Sequence, residues 1–90
     1  MEKFNTVVYK YTKQKFGIEL REKINNKFET EEIGSWAFSM YIKHMQEIDL
    51  SLSVIILKLA IMEQGPEFAR SYEELEKIAD RLIAGKDVKL

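Results

Sequence analysis

The ten residues Ser53-Val-Ile-Ile-Leu-Lys-Leu-Ala-Ile-Met62 carry a single charge, Lys58, and are otherwise almost wholly apolar. No other stretch constrains the fold as much. Gly65-Pro66 stops the segment, and Ser71-Tyr-Glu-Glu74 opens another, because a Ser followed three residues later by a Glu reciprocally satisfies free amide donors at a helix start. A helix apolar nearly all round is stable only when surrounded, so the pattern predicts a central helix wrapped by the remaining segments.

Ninety residues suit one domain spanning 1–90, with 46% hydrophobic and 32% charged residues placing the chain among globular sequences. There is no cysteine, which fits a reducing compartment better than a small secreted domain. Met1-Glu-Lys-Phe-Asn lacks the apolar core of a secretory signal, and the longest apolar run falls short of the roughly 20 residues a bilayer span needs. A cytoplasmic protein without a membrane segment is the expectation. The net charge of −1 conceals an asymmetry: residues 1–28 hold seven basic and three acidic side chains, +4, and residues 29–90 seven basic and twelve acidic, −5. An acidic face repels nucleic acid and attracts basic proteins.

Phe4, Val7, Val8 and Tyr11 fall at helical spacing, with Ile18 on the same face, whereas Leu20, Ile24 and Phe28 point elsewhere, so a break or kink is expected near Gly17. The run Thr6–Thr12 is also rich in β-branched and aromatic residues that suit a strand. Helix is preferred because no second strand candidate exists to pair with it. Thr30 is the expected N-cap of the next helix, with Glu31 and Glu32 meeting the positive end of its dipole. Ile33, Trp36, Ala37, Met40, Tyr41, His44, Met45 and Ile48 then form its apolar stripe. Asp49 caps a central helix over Leu50–Gln64, and Gly65 takes a positive φ. Tyr72, Leu75, Ile78, Ala79, Leu82 and Ile83 form the buried face of the last helix, Gly85 ends it, and Lys86–Leu90 is read as a loose tail. The fold class is all-α, a compact bundle of about four helices with the first kinked or split near Gly17.

No catalytic constellation accompanies these elements. His44 is the only histidine and reads as a structural or surface residue, and no Glu lies three residues before it as a bundle diiron site requires. The four glycines are isolated, so no phosphate-cradling loop is present. Neither an enzyme nor a cofactor or metal site is expected. Glu31, Glu32 and the Glu73-Glu74-Glu76 group read as dipole complements and a solvated face rather than a divalent-ion site, with contact to a basic partner as their alternative use. Two other readings stay open. Phe38 and Ile42 lie off the main stripe of the second helix and would serve a homodimer or regulatory adaptor. The lysine-rich first segment, with Tyr9, Tyr11 and Phe16 interleaved, is the one feature resembling a nucleic-acid binder, although its lysines alternate with acids after residue 18.

The stretch Ile24-Asn-Asn-Lys-Phe-Glu-Thr-Glu-Glu-Ile-Gly-Ser-Trp-Ala37 resembles the short helix, turn and Thr/Ser-x-Glu-x-x-x-Trp-Ala pattern of small helical immunity proteins of bacterial toxin systems, including contact-dependent inhibition. Those proteins typically continue with a central apolar helix and a short acidic terminal helix, and the likeness runs over roughly residues 20–85. Residues 1–19 have no counterpart in the pattern. The resemblance implies a binding protein that neutralises a cognate toxin, often a nuclease, by covering its active site or a necessary surface. The contact pool this implies is Glu29, Glu31, Glu32, Glu63, Glu67, Glu73 and Glu74.

Overall fold

The computed structural model describes residues 9–90, which form four α-helices: α1 (Lys13–Asn25), α2 (Thr30–His44), α3 (Leu50–Ala60) and α4 (Tyr72–Ile83). Two short 3-10 turns, Ile61–Gln64 and Pro66–Phe68, join α3 to α4. No strand occurs among the described residues, so the fold is the expected small all-α bundle. Phe4, Val7 and Val8, on which the helix-or-strand question partly turned, lie outside the described residues.

Local chemistry sets most of the helix boundaries. Thr12 caps α1 by accepting from the Lys15 amide at 3.2 Å, and Asp49 caps α3 by accepting from the Leu52 amide at 2.8 Å. At α4 the capping box forms as the sequence predicts. Ser71 Oγ accepts from the Glu74 amide at 3.1 Å, and the Ser71 amide donates to Glu74 Oε1 at 3.1 Å. Ser71→Ala is therefore expected to cost about 1 kcal/mol, read as a lower urea midpoint with unchanged slope.

Several boundaries differ from the sequence reading. The cap of α2 is Glu29, one residue before Thr30, and its amide donates to Glu32 Oε1 at 2.9 Å. The long Glu side chain three residues on reaches back where a hydroxyl was expected to do the work. α1 starts only at Lys13 and runs unbroken through Gly17. Tyr11 thus precedes the helix, with its amide donating to the Glu47 carbonyl at 3.2 Å. The central helix is shorter than Leu50–Gln64, tightening into 3-10 geometry after Ala60 before Gly65 turns the chain at a φ of +144°.

The helices pack as two antiparallel pairs, α1 with α4 and α2 with α3. A glycine brings backbones close both between α2 and the 3-10 turn that follows α3 and between α1 and α4. A Cβ on Gly34 would lie 2.6 Å from the Glu63 nitrogen, and one on Gly17 would lie 3.0 Å from the Ile83 nitrogen. Between the pairs lies a core that includes Phe16, Leu20, Ile33, Leu52, Ile56, Leu59, Met62, Leu75 and Leu82, all fully enclosed. Phe16 stacks on Trp36 with ring centroids 4.9 Å apart and meets Tyr11 edge-on at 6.4 Å.

The expected sheath around α3 is incomplete. Leu52, Ile55, Ile56, Leu59 and Ala60 are buried, but Leu50, Val54, Leu57 and Ile61 are exposed on the opposite face. With α1 packed on α4, the elements among the described residues cover only part of the circumference of α3. The stripes of α2 and α4 are also narrower than read: Met45 and Tyr72 are exposed and Ile83 only partly buried.

The tail is anchored, contrary to the expectation of a loose end. Asp87 pairs with Lys13 at 2.7 Å and accepts from Ser51 Oγ at 2.7 Å. Its carbonyl accepts from Arg81 Nε, and the Leu90 carbonyl accepts from Lys58 Nζ. Val88 and Leu90 pack partly against the core.

Candidate protein-binding surface

Antiparallel packing gives the bundle two chemically different ends. The Tyr72 hydroxyl donates to the Phe28 carbonyl, joining the start of α4 to the turn between α1 and α2. Gly34, in the second turn of α2, abuts Met62 and Glu63 just after α3. One end therefore gathers the starts of α2 and α4 and the 3-10 turns that follow α3. All seven residues of the contact pool lie there: Glu29, Glu31 and Glu32 at α2, Glu63 and Glu67 on the 3-10 turns, and Glu73 and Glu74 at α4. Each is solvent-exposed. Segments more than forty residues apart in sequence are thus brought to one end. Two helix N-termini point at this end, and their dipoles offset part of the repulsion among the carboxylates.

The seven do not have equal freedom. The carboxylates of Glu32 and Glu74 are engaged with the amides of Glu29 and Ser71, and the Glu67 carboxylate lies over Gly65. Glu31, Glu63 and Glu73 project from the same end without a cap to serve. Cations border them: Lys27 lines a shallow concavity with Ile24, Glu29, Tyr72 and Glu76, Arg70, Lys77 and Lys89 line another with Glu74, and Lys23 Nζ lies 5.2 Å from the centroid of the Phe28 ring.

The opposite end has the other sign in excess. Lys10, Lys13 and Lys15 sit at the start of α1, Lys43 lies in the last turn of α2, and Lys86 follows α4, interspersed with Glu47, Asp49 and Asp87. Here His44 is a structural residue. Its ring stacks on Tyr11 with centroids 3.9 Å apart, and Nδ1 lies 2.8 Å from Glu47 Oε1. The hydrogen bond from His44, with Lys10 and Lys15 nearby, holds the Glu47 carboxyl below the usual carboxylate range. The Lys13 and Ser51 hydrogen bonds do the same for Asp87. Burial, reinforced by the bond to Glu19, raises the Tyr11 phenol well above its ordinary value.

This arrangement removes the aromatic half of the nucleic-acid signal. Tyr11 and Phe16 are in the core and cannot stack on bases, whereas Tyr9 is exposed. Among the described residues, no three His, Cys, Asp or Glu side chains converge where a metal ion could be held, and no helix is long and apolar enough to cross a membrane. Phe38 and Ile42 are exposed on α2, as their position off its stripe suggests. Sequence reading missed the bare face of α3, because local apolarity records what a segment prefers to bury and not how many neighbours the chain can supply. Comparison with protein-family models, curated proteins and solved structures finds no match to this chain.

Proposed function

We propose that this chain is a non-enzymatic, cytoplasmic binding protein that neutralises a bacterial toxin, acting through its acidic end. The observation that carries the reading is the convergence of seven exposed carboxylates, from α2, the 3-10 turns and α4, on one end of a small rigid bundle. The Thr30–Ala37 resemblance supplies the partner class. A nuclease toxin has a basic cleft for phosphates, and a preformed carboxylate surface can compete with the substrate while raising the association rate. Fixing the carboxylates on helix ends also limits the entropy lost on binding.

The test is co-expression with the product of the adjacent toxin gene. The expected result is a co-purifying complex and protection of cells. A combined Glu31→Lys, Glu63→Lys and Glu73→Lys variant, which leaves the caps intact, is expected to keep the circular dichroism of the parent. It should slow association by about 10- to 100-fold and flatten the dependence of the rate on salt. Absence of both complex and protection with the parent chain would overturn the reading. Unchanged association in the triple variant would move the contact away from the acidic end.

A further inference from the structure

The anchored tail also shapes a groove. Running back beside α4, it closes a shallow concavity of about 220 Å³ with an aliphatic floor, Ile78, Val88 and Leu90, and a rim of Arg70, Lys77, Arg81 and Lys89. Glu74, Lys77, Ile78 and Arg81 recur at helical spacing, so one face of α4 supplies the longer wall. Glu74 is the one acid of the lining, and its carboxylate already accepts from the Ser71 amide at 3.1 Å. The ion pairs among the described residues are Lys13 with Asp87, Arg21 with Asp80 and His44 with Glu47, and none involves the four cations of the rim. In a chain of net charge −1, the groove therefore carries a local field of the opposite sign.

The walls are held before anything binds. Arg81 Nε donates to the Asp87 carbonyl at 3.0 Å, which orients the guanidinium, and among the described residues its terminal nitrogens have no acceptor. Lys58 Nζ holds the Leu90 carbonyl at 3.0 Å, and Lys13 and Ser51 hold the Asp87 carboxylate. A surface fixed in this way loses little freedom on binding. Charge and shape together select the occupant. Guanidinium forks match carboxylates bidentately, and an aliphatic floor is covered best by an aliphatic side chain. No aromatic ring lines the groove, so nucleic-acid bases have nothing to stack on, and a flat bilayer surface would meet the rim without reaching Ile78. We infer that the groove binds a short acidic protein segment, its carboxylates paired with the rim cations and an aliphatic side chain between them seated on Ile78, Val88 and Leu90. The inference does not depend on the toxin reading, since the groove runs along α4 away from the acidic end and takes a partner of the opposite charge.

Titration of the ¹⁵N-labelled full chain with a short peptide of alternating glutamate and leucine tests it. Saturable amide shifts are expected at residues 70–90, with a dissociation constant between about 10 μM and 1 mM at low salt. Raising the salt from about 10 to 150 mM, which shortens the screening length from about 30 to 8 Å, should weaken binding by about 10-fold. Arg70 and Lys77 donate no hydrogen bond to other described residues, so a combined Arg70→Gln and Lys77→Gln variant is expected to keep the circular dichroism of the parent. It should bind about 10-fold more weakly, whereas Lys43→Gln, in the last turn of α2, should bind as the parent does. No shifts at about 1 mM peptide would overturn the inference. So would equal binding of the peptide with glutamine in place of glutamate, or a double variant that binds undiminished. Tighter binding to oligothymidylate or to phosphatidylserine vesicles than to the peptide would assign the groove to phosphate groups and overturn it as well.

Discussion

Phe16→Ala is expected to lower the unfolding free energy by about 3–5 kcal/mol, the range for truncating a fully enclosed phenylalanine. Phe16 has no exposed surface, stacks on Trp36 of α2 and touches Tyr11 edge-on. Its removal therefore opens a void at the junction between the two helix pairs. A domain of this size has about 5–13 kcal/mol in total, so the variant sits near the edge of folding at room temperature. Urea denaturation followed by circular dichroism measures the loss, with Phe16→Leu expected to recover most of it. A loss below about 1 kcal/mol would mean that the two pairs are not joined through this ring.

Gly34→Ala sets two effects of opposite sign against each other. Helix propensity alone predicts that alanine stabilises a helix interior by about 1 kcal/mol relative to glycine. Close approach predicts the reverse, because the added Cβ would stand 2.6 Å from the Glu63 nitrogen and 3.0 Å from the Met62 carbonyl carbon, and backbone cannot swing aside as a side chain can. Overpacking of this kind costs about 1–3 kcal/mol, and a clash with backbone belongs at the upper end. A net loss of about 2 kcal/mol is expected, which for a domain of this size lowers the melting temperature by about 8–16 °C. Gly17→Ala should lose somewhat less, since the Leu82 Cβ at 2.9 Å and the backbone Ile83 nitrogen at 3.0 Å stand farther off than the 2.6 Å contact at Gly34. A raised melting temperature for Gly34→Ala would show that α2 and the 3-10 turn can separate without cost.

The features legible in the sequence were those fixed within a few residues. The Ser71–Glu74 box, the Asp49 cap and the positive φ at Gly65 each depend on neighbours in the chain, and each is present in the structure, although α3 itself ends at Ala60. Thr30 shows how narrow that legibility is. Two acceptable caps lie side by side, and the reach of the Glu32 side chain back to the Glu29 amide selects the earlier one. What escaped was the global supply of contacts. The intrinsic apolarity of Ser53–Met62 is the same whether three neighbours surround it or two, so the bare face of α3 followed from the pairing of α1 with α4 and not from any residue in α3. The candidate surface falls between these cases. Acid-rich positions were visible one by one, but their gathering at one end depends on the antiparallel arrangement that places the starts of α2 and α4 together.

The separation of charge along the bundle also gives the molecule a permanent polarity that its net charge of −1 does not record. In the field of a strongly basic surface such a body experiences a torque before it experiences appreciable net attraction, and it swings round to arrive carboxylates first. On an ion-exchange resin the same property would let it adhere by opposite ends to media of either sign near neutral pH.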